Sequence, residues 1–273
     1  MQLRPNYGEF SDMAAGLLYL MYHELEVPGR EILDSGAGYC RYVLLQREFR
    51  EQLAWLRSSG FAALTVGRAL NAGNTQEKAV VITFDDGAAT DLLVAAPLLR
   101  EFGFSATFYL TSGFLGKHGY LNAAQVRQLA AEGFEIGCHS RTHRYLNDLD
   151  ERLLEEEIIR PKHELEEIIR APIEHFSCPG GRWSRELVEI ARRAGYKSVA
   201  TSRIVRNSAD ANPYRLGRVA ILRGTAMESF AQLCNGKGLL ARQFRSSVLS
   251  GAKGILGNSL YEKLRSAALA KED

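Results

Sequence analysis

The sequence predicts an α/β fold in which six or seven parallel strands form either a distorted barrel or a wide doubly wound sheet. Three observations lead there. Short apolar runs at residues 17–22, 79–84, 105–110, 134–138, 174–178, 197–201 and 218–222 recur along the 273-residue chain. The stretches between them place apolar residues at helical spacing, which is the pattern of βαβ units. No internal repeat, glycine-serine linker or low-complexity tract interrupts the alternation.

Taken in order, the first run leads to a stretch where Phe49, Leu53 and Leu56 recur at three and four residues before a stop at Gly60. After the second run, Leu92, Leu93, Ala96 and Leu99 repeat that spacing before Gly103. Asn122 is placed to cap a helix, with Gln125 at the capping-box position and an end near Gly133. Residues 149–169 read as helix, which Pro161 should kink or split. Ser184 opens another helix and Gly195 stops it. From residue 241 the strand signal ends, and Arg242, Arg245, Lys253, Lys263 and Arg265 punctuate an apolar segment. The expected division is a catalytic barrel over 1–240 and a helical tail over 241–273.

Composition narrows the class. With 34 Lys+Arg against 32 Asp+Glu the net charge is +2, which gives no support to a nucleic-acid partner. At 46% hydrophobic and 24% charged, the chain is an ordinary globular sequence. Cys40, Cys138, Cys178 and Cys234 form no CxxC pair, and Cys138 and Cys178 read as small reduced residues at the rim of the site. The first twelve residues do not read as a secretory signal, and the longest apolar run falls far short of a membrane span of about 20 residues. The expectation is a cytoplasmic protein with free thiols.

The chemistry gathers where the apolar runs end. Run 17–22 ends in His23, run 79–84 in Asp85-Asp86-Gly87, run 134–138 in His139-Ser140-Arg141-Thr142-His143, and run 174–178 in Pro179-Gly180-Gly181-Arg182. In parallel α/β folds the carboxyl ends of the strands share one face, and sites form there. A lone Asp-Asp-Gly is commonly a polar turn. Adjacent carboxylates repel, however, and a cation relieves them. His139 and His143, four residues apart, supply two imidazoles; with one carboxylate they make the ligand set of a catalytic zinc-like ion that keeps an open position for water.

Thr83-Phe84-Asp85-Asp86-Gly87 and His139-Ser140-Arg141-Thr142-His143 resemble the first two signature motifs of the polysaccharide deacetylase family, carbohydrate esterase family 4. The resemblance runs in order from about residue 17 to 230 and includes Met21-Tyr22-His23, residues 103–108 and residues 133–137. It implies a distorted (β/α) barrel of about seven parallel strands. It further implies a divalent metal, usually zinc, held by Asp86, His139 and His143, with Asp85 as the base that hydrolyses an N-acetyl amide on a sugar. The third motif departs from the family's form: Ser177 stands where an arginine would orient the base, and nearby Arg182 is assigned that task. Gly180 keeps the backbone N–H expected to face the oxyanion. The family's downstream Leu-x-His is missing from 219–223. His23 is therefore assigned as the catalytic acid, by resemblance to members with a Tyr-His start and a permuted motif order. Trp183 is a candidate for stacking on a sugar face.

Two other readings remain beside this one. A glycan-binding pseudoenzyme would account for the altered third and missing last motifs. A magnesium-dependent phosphatase would need aspartates two apart, whereas Asp85 and Asp86 are adjacent. The expected substrate is an N-acetylated sugar, oligosaccharide or lipid-linked glycan, and the basic tail is a candidate for weak peripheral contact with the inner membrane face.

Overall fold

The structure, a computed structural model, describes residues 16–72, 78–239 and 243. Seven parallel strands make the sheet: β1 (Leu18–Tyr22), β2 (Ala79–Asp86), β3 (Thr107–Leu110), β4 (Glu135–Cys138), β5 (His175–Ser177), β6 (Ser198–Ala200) and β7 (Val219–Ala220). Their order is β7-β1-β2-β3-β4-β5-β6; each falls within one of the apolar runs except β2, which runs two residues past its own to include Asp85 and Asp86. A further strand, Ala62–Leu64, pairs with the first half of β2. The sheet curls until its edges meet. Leu216, just before β7, bridges Ala200 of β6, with Thr201 N–H donating to Leu216 O at 2.8 Å and Leu216 N–H to Val199 O at 3.0 Å. The ring is thus a distorted barrel joined by a single thin seam.

Strand alternation sorts the side chains. Leu18, Leu20, Tyr22, Val80, Ile82, Phe84, Phe108, Leu110, Ile136, Cys138, Phe176 and Cys178 face the helices and form the main core. Tyr22, Phe84 and Phe108 stack at centroid distances of 5.3 and 5.2 Å. Fully burying each such ring stabilises the fold by roughly 1.5–3 kcal/mol. Residues of the opposite parity, including Leu17, Tyr19, Val81 and Tyr109, fill the barrel interior. Gly137 belongs to this inner set because a Cβ there would lie 2.5 Å from the Tyr109 ring. Cys138 and Cys178 fall on the outer parity. They are core residues under the helices, not rim residues, and burial pushes both thiols up to about 12.

Besides a single turn at Ala37–Cys40, the helices are α1 (Gln46–Ser58), α2 (Val66–Ala72), α3 (Ala96–Glu101), α4 (Ala123–Ala131), α5 (Glu151–Ile169), α6 (Arg185–Arg193) and α7 (Met227–Cys234). Asn122 and Gln125 form the expected capping box of α4, and Ser184 caps α6 by accepting from Leu187 N–H. Pro161 does not split α5, which runs unbroken for 19 residues. Tertiary contacts override the local penalty: Pro161 is buried, and Tyr196 Oη donates to the Ile158 carbonyl one turn before it. Of the tail expected over 241–273 only Gln243 is described, its Nε2 donating to Ile204 O, so the remainder and its expected membrane contact lie outside the described residues. Among the described residues no helix is long and apolar enough to cross a membrane.

Candidate metal and catalytic site

Inner parity carries His23, Asp85, His139, Ser177 and Arg218 to one end of the barrel, because each continues the alternation of its strand. Asp86 would point to the helices by that rule. Its backbone instead takes φ +79°, outside the region that non-glycine residues favour, and this turns its carboxylate back toward Asp85's side. Ser140 and His143 are also left-handed, at φ +63° and +62°. Strained non-glycine residues of this kind concentrate at functional sites.

The turn at Asp86 produces the cluster. Its Oδ1 lies 3.6 Å from His139 Nε2 and 3.3 Å from His143 Nε2, and all three ligand atoms fall within 4.8 Å of one another. Asp86 Oδ1 is buried and accepts no hydrogen bond from the described residues, an arrangement that suits a cation. His139 Nδ1 donates to Ser177 O at 2.8 Å, which leaves Nε2 as the lone-pair nitrogen facing the carboxylates. Burial lowers the His139 pKa to about 4, against the pull of Asp85, so the ring is neutral near pH 7. Two imidazoles and a carboxylate fit a divalent metal of the zinc type.

Asp85 is engaged differently. Arg218 grips it with two parallel bonds, Nη1 to Oδ1 and Nη2 to Oδ2, both 2.7 Å. Arg218 is 1% exposed and Asp85 2%. Its Nη2 also donates to Ser177 Oγ at 2.7 Å, and Ser177 Oγ donates to Asp85 at 3.4 Å. Burial alone would raise the Asp85 pKa, but Arg218, helped by His139, holds it well below the usual carboxylate range. The arginine on the proposed base is therefore Arg218, not Arg182. Ser177, small where the motif has an arginine, leaves room for a guanidinium arriving from the start of β7. Arg182 is engaged elsewhere, with its guanidinium 3.7 Å from the Tyr145 ring centroid and Nη1 3.9 Å from Asp148. Trp183 packs against the core, and its Nε1 donates to Tyr214 O at 2.7 Å.

Residues 72–199 match the profile of the polysaccharide deacetylase family. The chain is 28% identical to YxkH of Bacillus subtilis over 224 residues, spanning 81% of this chain and 76% of that one. It is 34% identical over 127 residues to the peptidoglycan-N-acetylglucosamine deacetylase of Bacillus cereus, spanning 46% of this chain and 57% of that one. Among solved structures, IcaB from Ammonifex degensii superposes with a TM-score of 0.68 at 28% identity, covering 81% of this chain and 96% of its own.

His23 ends the first strand at the rim, with its ring 4.9 Å from Tyr42 and its buried Nδ1 without a hydrogen-bond partner among the described residues. Burial lowers its pKa, while Asp86 and Asp85 pull the other way. Gly180 takes φ +62°, and a Cβ there would meet the Tyr145 ring at 2.6 Å, so the position excludes a side chain on both counts. The loop between the two histidines is braced from α5. Glu157 accepts from Arg141 N–H at 3.0 Å, Thr142 N–H at 2.8 Å and the Thr142 hydroxyl. Ser140 Oγ accepts from His143 N–H at 3.0 Å. These bonds hold Ser140 and His143 in their left-handed conformations. Glu157→Gln, which replaces an acceptor oxygen with a donor, is expected to weaken zinc binding about 10- to 100-fold, as loss of outer-sphere support generally does. Competition with a chromophoric chelator measures it; unchanged affinity would remove the brace from the metal loop's support.

Proposed function

We propose that this protein is a polysaccharide deacetylase that hydrolyses the N-acetyl amide of an amino sugar within a glycan, with Asp86, His139 and His143 holding zinc. One observation carries the reading. A three-ligand cluster stands beside an ionised, arginine-clamped carboxylate that makes no contribution to that cluster. The phosphatase alternative has no use for the two histidines on Asp86. The names of relatives that act on peptidoglycan N-acetylglucosamine and on chitooligosaccharides support an N-acetylglucosamine-type substrate.

When bound, the metal supplies Lewis-acid polarisation of the amide carbonyl and acidifies the attacking water. Asp85 accepts the proton from that water, and Arg218 keeps it ionised and fixed in orientation for the task. The Gly180 N–H faces the oxyanion that forms, where one such donor contributes about 3 kcal/mol. His23 donates a proton to the departing nitrogen. Because burial favours its neutral form, His23 takes up the proton that Asp85 has collected before it donates to the nitrogen. Incubating the protein with N-acetylglucosamine oligomers should release acetate, stop on addition of a strong chelator and resume on addition of zinc. Metal and sugar binding with no acetate release would support the pseudoenzyme reading instead.

A further inference from the structure

Among the described residues, two large apolar side chains stand exposed, Leu93 and Tyr145. Tyr145 is the one beside the site. It follows His143 by two residues, and its ring lies against Gly180. It is 41% exposed even so. The ring is also held: Arg182 stacks its guanidinium 3.7 Å from the centroid, and the next residue, Leu146, is fully buried. An aromatic ring left open to water, fixed in orientation and set between a metal-ligand loop and the Gly180 loop offers an apolar face to whatever enters.

We propose that Tyr145 is the platform on which a pyranose ring adjoining the reacting sugar packs, and that Arg182 is the clamp that presets it. The inference rests on the deacetylase reading and deepens it by making the substrate an oligosaccharide. Sugars suit such a surface because their axial C–H groups pack on an aromatic face while their hydroxyls stay in water. Presetting the ring lowers the ordering cost of binding. Arg182 therefore acts through Tyr145 and is a positioning residue.

The test compares acetate release from the N-acetylglucosamine monomer and tetramer. Tyr145→Ala should lower kcat/KM for the tetramer about ten-fold, carried by KM, while the monomer loses much less, so the preference for length collapses. Tyr145→Phe should keep that preference, because the ring and not the hydroxyl makes the contact. Arg182→Met should fall between wild type and Tyr145→Ala. Equal losses on both lengths, no loss on the tetramer, or a Phe variant that behaves like Ala would overturn the proposal. If wild type released acetate from neither sugar, the deacetylase reading would fail, and calorimetric binding of the tetramer would then decide on Tyr145. Binding by wild type that is lost in Tyr145→Ala supports the platform; no binding by wild type, or equal binding by both, refutes it.

Discussion

Asp85→Asn should cut kcat for acetate release by about a hundred- to ten-thousand-fold, the range a positioned general base contributes. Zinc affinity should change little, because Asp85 is not among the three clustered ligands. The comparison is informative because Asn is nearly isosteric. It keeps one acceptor for Arg218 but presents an amide N–H₂ where Nη2 donates now, so some loss of stability should accompany the loss of rate. Steady-state kinetics on the zinc-loaded variant, paired with a metal titration, separates the two effects. Full activity in the variant would remove Asp85 from the proton path.

The second large effect concerns folding. Arg218→Met leaves Asp85 buried without its counter-charge, and breaking a buried pair from one side costs about 3–5 kcal/mol. For a chain of this size that corresponds to a fall in Tm of roughly 6–20 °C. The pH dependence gives the sign. In wild type the Asp85 pKa is depressed, so its stabilising contribution is complete above the ordinary carboxylate pKa of about 3.9 and is lost as pH falls through the depressed value. In the variant, burial faces only the weaker opposition of His139 and His23 and raises that pKa, so stability falls as pH rises above about 3.9. The gap between the two proteins should therefore be widest near neutrality and narrow in acid, as followed by thermal denaturation from pH 4 to 8. Arg182→Met, which removes a guanidinium stacked on Tyr145 and breaks no fully buried ion pair, should cost less than Arg218→Met. Equal losses for the two variants would refute the placement of the clamp.

How much of this could be read from the chain depends on whether the signal is local. The seven ring strands were legible because a strand buried on both faces shows as a continuous apolar run. Asp85, Asp86, His139 and His143 were legible because each pair sits within five residues at the end of such a run. Arg218 was not, although it heads the last run. A charge there reads as a boundary, and only alternation with buried Val219 and Ile221 marks it as inward-facing. The search for a base-orienting arginine stayed next to Ser177 in sequence, whereas the barrel supplies it from a strand 41 residues on. Glu157 closes a run of three glutamates on a charged helix, and nothing local separates the bracing one from its neighbours. Pro161 misled in the opposite direction, since packing decides what a helix interior tolerates.

The thin seam between β6 and β7 has a consequence for how this enzyme loses activity. Arg218 crosses it, with Nε donating to Thr201 O at 3.2 Å while Nη1 reaches Thr83 and Asp85 and Nη2 reaches Asp85 and Ser177. The side chain that clamps the proposed base is also a rivet across this seam. Local opening should begin there, with the Thr201 and Leu216 amides exchanging ahead of those in β2 and β3. Heat should therefore disarm the catalyst before it melts the barrel, and inactivation should run ahead of global unfolding.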